Sequence, residues 1–92
     1  MSKAWLTEAV VLRAVTTAVR PQSVYINNEI QRQHRRYVAG GGEGHCPSSS
    51  LVLRRLRSLA AKGYLVESRF ADGLYGYTWA ITDPGRAAAG AA

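Results

Sequence analysis

Ser48 to Tyr77 reads SSSLVLRRLRSLAAKGYLVESRFADGLYGY. Val52, Leu56 and Leu59 recur at four- and three-residue steps, the spacing of one buried helical face. Ser48, Ser49 or Ser50 serves as the cap, with Pro47 just before it. Gly63 stops the helix, and Lys62 lies in the last turn, where a cation suits the dipole. With Val52, Leu56 and Leu59 turned inward, Ser49, Ser50, Leu53, Arg54 and Arg57 fall on or near the outer face, and Arg55 on a flank. Two β-prone runs follow, Tyr64 to Phe70 and Leu74 to Ile81, on either side of the hairpin signal Asp72-Gly73. The stretch predicts a basic helix with a hairpin directly behind it.

Upstream, Ala39 to Pro47 reads AGGGEGHCP. This is too glycine-rich to hold a helix, and it makes a long loop for the turn between two helices. The segment before it predicts a second helix from Asn28 to about Tyr37 or Val38, capped by Asn27. Its buried stripe is Ile30, His34 and Tyr37 or Val38, which leaves Arg32, Arg35 and Arg36 mostly outside. Val24, Tyr25 and Ile26 are β-prone and predict a short strand. Pro21 disfavours helix at Arg20 and closes a first helix, Lys3 to Val19. In that helix Trp5, Ala9, Leu12, Val15 and Val19 keep helical spacing, while Leu6, Val10 and Val11 widen the apolar face. So wide a face on so small a domain suggests burial on two sides, and a second subunit is one way to supply it.

Downstream, Trp79 and Ile81 share one strand face, with Tyr77 two residues earlier, and are expected to pack on the first and third helices. Thr82 caps a short turn or helix at Asp83-Pro84-Gly85-Arg86. The Ala/Gly tail, residues 87–92, is expected to fray unless a dimer orders it. One domain, 1–86, accounts for the rest.

The chain has 92 residues and a net charge of +6, from 12 Lys and Arg against 6 Asp and Glu. Every basic residue except Lys3 lies between Arg13 and Arg86, so the excess belongs to the folded body. Such a charge favours a polyanion through phosphate contacts and counterion release. A chain this short buries a modest share of its surface, which adds to the case for a homodimer. Cys46 is the only cysteine, so no intrachain disulfide forms. No signal-peptide pattern and no apolar run near the ~20 residues of a membrane span are present. A cytoplasmic location is expected.

The order helix, strand, helix, helix, hairpin resembles the winged helix-turn-helix superfamily of DNA-binding proteins. LVLRRLRSLAAKGYLVESRF is similar to the recognition-helix-to-wing passage of bacterial regulators of the MarR and PadR type. In those, a helix ending in spaced leucines and a glycine leads to an apolar pair and the first wing strand. The matching residues are Leu56, Leu59, Gly63, Leu65 and Val66. YTWAITDPGRAAA resembles the end of the second wing strand, through Trp79, Ile81, Thr82, Gly85 and Arg86. The resemblance covers about Ile26 to Ala88, and the chain's size suits a small phage- or plasmid-type regulator. It implies an α+β, mostly α fold of three helices plus a C-terminal β-hairpin wing, with double-stranded DNA as partner.

It further implies that the N-terminal half of the third helix enters the major groove. The residue types there suit that role. Arg54 and Arg57 have the fork that pairs with guanine O6 and N7. Ser49, Ser50 and the first-turn N–H groups suit phosphate oxygens, and Leu53 suits a thymine methyl. Arg69, before the wing turn, is placed to reach a phosphate or the minor groove. Arg32, Arg35 and Arg36 are candidates to clamp the backbone from the second helix. The plainer reading of each basic cluster is a solvated helix face.

His34, His45 and Cys46 invite a metal reading, but no C-x-x-C or H-x-x-H spacing and no fourth ligand accompany them. No metal or other cofactor is expected. GGGEG follows a helix and lacks the lysine of a phosphate loop, and no nucleophile-base set is arranged, so the chain does not read as an enzyme. The rival reading is a protein-interaction adaptor, such as a phage protein bound to a host enzyme. The wide face of the first helix with Tyr64, Tyr75 and Tyr77 would be its interface. An architectural, DNA-bending role in recombination is a variant of the regulatory reading.

Overall fold

The computed structural model describes residues 5–69 and 77–90. Thr7 opens the first helix, its hydroxyl accepting from the Val10 N–H at 3.3 Å. Helix α1 runs Glu8–Thr17, shorter at both ends than Lys3 to Val19. The early stop has local causes. Pro21 keeps Arg20 out of helical conformation. The Thr16 and Thr17 hydroxyls donate back to the Arg13 carbonyl at 2.7 and 3.0 Å, a bond that competes with the helical ladder. Val19, expected in the buried stripe, is 88% exposed.

The chain then meets the sheet. The Trp79 N–H donates to the Pro21 carbonyl at 2.8 Å, and Gln22 forms a single antiparallel bridge with Thr78. No strand forms at Val24 to Ile26, and Asn27 is not a cap: helix α2 spans Ser23–Ala39. Ile26, Ile30 and His34 stand at four-residue steps and are all buried. Burying that stripe outweighs the β propensity of three residues, which is itself mostly a packing preference. At the other end, Tyr37 and Val38 are exposed rather than part of the stripe. Tyr37 instead stacks beside Trp5, ring centroids 5.9 Å apart.

Gln31 sets where the next helix begins. Its amide donates to the Pro47 carbonyl at 2.7 Å, and its carbonyl oxygen accepts from the Cys46 thiol. Both bonds tie the end of the glycine-rich loop to α2. Ser48 then caps helix α3, Ser49–Ala61, its hydroxyl accepting from the Leu51 N–H at 3.1 Å. Val52, Leu56 and Leu59 are buried, as their spacing predicts. Gly63 adopts φ +83°, and the Gly63 and Tyr64 N–H groups close back on the Ala60 and Leu59 carbonyls. This left-handed glycine cap satisfies carbonyls that the helix end leaves open.

Strand β1, Leu65–Arg69, pairs antiparallel with β2, Tyr77–Ile81, from Leu65 opposite Ile81 to Arg69 opposite Tyr77. The Asp72-Gly73 turn and the flanking ends of both expected strands lie outside the described residues. Trp79 is 1% exposed and donates its indole N–H to the Ser23 hydroxyl at 2.8 Å, joining β2 to the start of α2.

Thr82 caps a further helix, α4, Asp83–Gly90, accepting from the Gly85 N–H at 3.1 Å. Ala87 to Gly90 are therefore helical instead of frayed, and the packed body extends past residue 86. Ala88 and Ala89 pack on the core, and the Arg13 guanidinium donates to the Ala89 carbonyl at 3.3 Å. Helix α4 thus covers α1, so the second side of that wide apolar face is buried within one chain. Among the described residues, four helices and one two-stranded sheet make a small α+β fold that is mostly helical. One core joins all the layers, with Leu12, Ile26, Ile30, Leu56, Leu59 and Trp79 fully buried. Each such side chain contributes about 1.5–3 kcal/mol.

Candidate nucleic-acid interface

Burial of Val52, Leu56 and Leu59 decides what α3 presents to solvent. At 100° per residue, Ser50, Arg54 and Arg57 fall in one row within about 60° of each other, opposite the core. All three are exposed. Arg55 is also exposed, about 100° around from Arg54. Ser49 and Leu53 occupy the other flank, where Leu53 is half-buried. Helix α3 carries three arginines and no carboxylate.

The other cations are mostly engaged within the protein. Lys62 pairs with Glu8, and Arg86 with Asp83 at 3.0 Å. The Glu8 carboxylate, through its hydrogen bond and charge, raises the Lys62 pKa above its usual 10.5. Arg32 contacts both oxygens of buried Glu29, at 2.6 and 2.5 Å. Chiefly through that bond, and against the opposing pull of burial, the Glu29 carboxyl is held below its usual 4.5. Arg20 lies over the Tyr25 ring at 6.0 Å. By contrast, Arg54, Arg55 and Arg57 form no ion pair among the described residues. Arg57 rests its guanidinium over the Tyr77 ring, 5.7 Å from the centroid.

The α2 arginines do not join the α3 row as a group. Asn27 and Gln31 mark the side of α2 that faces the start of α3. Arg32 and Arg36 are turned about 100–140° from Gln31, whereas Arg35 stays within about 40° of it. Arg32 is also committed to Glu29. Arg35 is thus the best placed of the three for a contact continuous with α3. Arg69 is the last described residue of β1, opposite Tyr77 in register.

Two clefts flank α3. The larger, about 770 Å³, lies at the Leu51 side between the glycine-rich loop, Trp5, His34 and Tyr37. His34 is buried there, near-perpendicular to the Trp5 ring at 5.1 Å, and its Nε2 has no hydrogen-bond partner. The smaller, about 410 Å³, lies at the Leu53 side, between the starts of α2 and α3 and the Tyr77 end of β2. It includes Ser23 together with Val24 and Asn27, which the sequence places on a short strand and at a helix cap. The four-residue spacing of Ile26, Ile30 and His34 was the signal that places them on a helix. Among the described residues no group of three His, Cys, Asp or Glu gathers to hold a metal, and no helix is long and apolar enough to cross a membrane.

In comparisons with protein families, with curated proteins and with solved structures, nothing matches this chain.

Proposed function

We propose that this protein is a winged helix-turn-helix regulator of transcription that binds double-stranded DNA, with α3 in the major groove. The observation that carries the reading is the α3 surface: Ser50, Arg54 and Arg57 in one exposed row, with Arg55 beside it, no acid on the helix and, among the described residues, no ion pair on its arginines. Exposed arginines on a chain of net charge +6 suit a polyanion. The element order supports the reading too. Gln22, between the first and second helices, makes a single antiparallel bridge to Thr78 beside the two-stranded sheet. Arg54 and Arg57 read guanine edges, Ser49 and Ser50 meet phosphate, and Arg35 contacts the backbone.

The adaptor reading drew on the wide apolar face of α1. Since α4 covers it, that reading loses its main surface, and the expected homodimer loses the same argument. A homodimer enters the proposal only through DNA, as two copies on half-sites about 34–36 Å apart.

The test is a gel shift with random and genomic duplexes across a salt series. Binding is expected to weaken steeply with salt, with a slope that counts the phosphates contacted. No duplex binding at low salt, together with a stable protein complex in pull-down, would instead favour the adaptor.

A further inference from the structure

We infer that the cleft beside Leu53 receives the C5 methyl group of a pyrimidine, so that the protein selects a methylated pyrimidine next to the guanine its arginines read. The inference rests on the DNA-binding reading and deepens it.

The cleft is built by three elements at one corner of the proposed interface. Val24 from α2, Leu53 from α3 and Tyr77 from β2 supply apolar walls, and Asn27, Ser49 and Ser50 supply uncharged polar groups. No cation lines it. The arginine row beside the cleft draws a polyanion across its mouth, where Ser49 and Ser50 meet phosphate and the apolar walls are left for a base. The major groove shows a protein one apolar group, the pyrimidine C5 methyl, carried by thymine and by 5-methylcytosine. Val24 is 51% exposed and awaits such a contact. The volume, about 410 Å³, leaves room for the methyl together with the C5–C6 edge of its ring.

The arginine and the cleft are linked. Tyr77 is at once a wall of the cleft and the ring on which Arg57 rests. Arg57 lies about 40° around α3 from Leu53, so its guanidinium stands at the cleft's edge. A base read by Arg57 and a methyl seated against Leu53 therefore belong to neighbouring base pairs.

The test begins with a site selected from a random duplex library at low salt. Each thymine of that site is then replaced by deoxyuridine, which removes the methyl alone. At least one thymine adjacent to a guanine is expected to lose about three- to tenfold in affinity. Replacing that thymine with cytosine, and then with 5-methylcytosine, separates the two methyl sources: recovery on methylation makes 5-methylcytosine a ligand, and no recovery makes the site specific for thymine. Val24→Ser and Leu53→Ala are each expected to bring the thymine-to-uracil ratio to one, with thermal melts showing that both variants fold. If every thymine tolerates the loss of its methyl while the selected site still binds tightly, the inference falls and the DNA-binding reading stands. A ratio that persists in both variants also overturns the assignment to this cleft. If no duplex is bound or selected at low salt, the DNA-binding reading itself falls.

Discussion

The Arg57 guanidinium carbon sits 5.7 Å from the centroid of the Tyr77 ring. A side chain of α3 is thereby held by the sheet, and its orientation depends on β2 as well as on its own helix. Free arginines lose about 2 kcal/mol of rotamer entropy when immobilised, and Arg57 has already surrendered part of it. Arg57→Ala should therefore show two losses: about 0.5–1 kcal/mol of stability from the ring contact and about 1–3 kcal/mol of DNA affinity. Arg54→Ala, with no such contact among the described residues, should show only the second. Thermal melts and gel shifts on the same two variants separate the terms, and equal melting losses would refute the ring contact.

Ser23 closes a different link. Its hydroxyl accepts from the buried Trp79 indole and donates to the Tyr77 carbonyl at 3.2 Å. Ser23→Ala leaves the indole N–H buried without an acceptor, at a cost of about 1–3 kcal/mol. Denaturant titration followed by tryptophan fluorescence measures it; an unchanged midpoint would mean that water or a rearranged neighbour replaces the hydroxyl.

Gly85 lies where α4 meets the start of the sheet. A Cβ built there would stand 2.1 Å from the Tyr64 carbonyl oxygen, a backbone atom that cannot swing aside. Gly85→Ala is expected to destabilise by about 1–3 kcal/mol or to pry α4 from its seat. Gly90→Ala is the internal control, since its Cβ would meet open space. Calorimetry should rank the two variants far apart.

Glu29 gives the fold an acid-sensitive joint. Its folded pKa is lowered from 4.5, chiefly by the Arg32 hydrogen bond. A carboxyl with a folded pKa below its unfolded one contributes stability that is fully present above the unfolded value and is lost as pH falls through the folded value. Unfolding midpoints should therefore drop as pH falls below about 4.5. Glu29→Gln should flatten that part of the profile, and an identical acid slope in the variant would remove Glu29 as its source.

The third helix was the most legible part of the chain. Val52, Leu56 and Leu59 fix its rotation, the Ser48 to Ser50 run brackets its start, with Ser48 the cap in the structure, and Gly63 marks its end; all of these signals are local. The start of α2 was misread for the opposite reason. Val24, Tyr25 and Ile26 look β-prone in isolation, and only burial of Ile26 against other elements makes them helical. The cleft at Leu53 was hidden for the same cause, because Val24 and Asn27 reach it only from a helix. Helix α4 was half-seen: Thr82 announced its cap, but alanines carry no sign of the partner they pack on. Why Arg32 is less available than Arg35 also escaped sequence reasoning, since it depends on which carboxylate is buried beneath it.

The seat of α4 on α1 bears on how the protein is made. The Arg13 guanidinium and the Ala89 carbonyl meet across 76 positions of chain. During synthesis α1 leaves the ribosome before α4, which follows only after the helices and strands between them. Until it arrives, the Val10 to Val15 stripe has one of its two covers missing, and such transient apolar surface is what chaperones and aggregates compete for. Helix α4 is thus the piece that decides whether a nascent copy buries the outer side of that stripe.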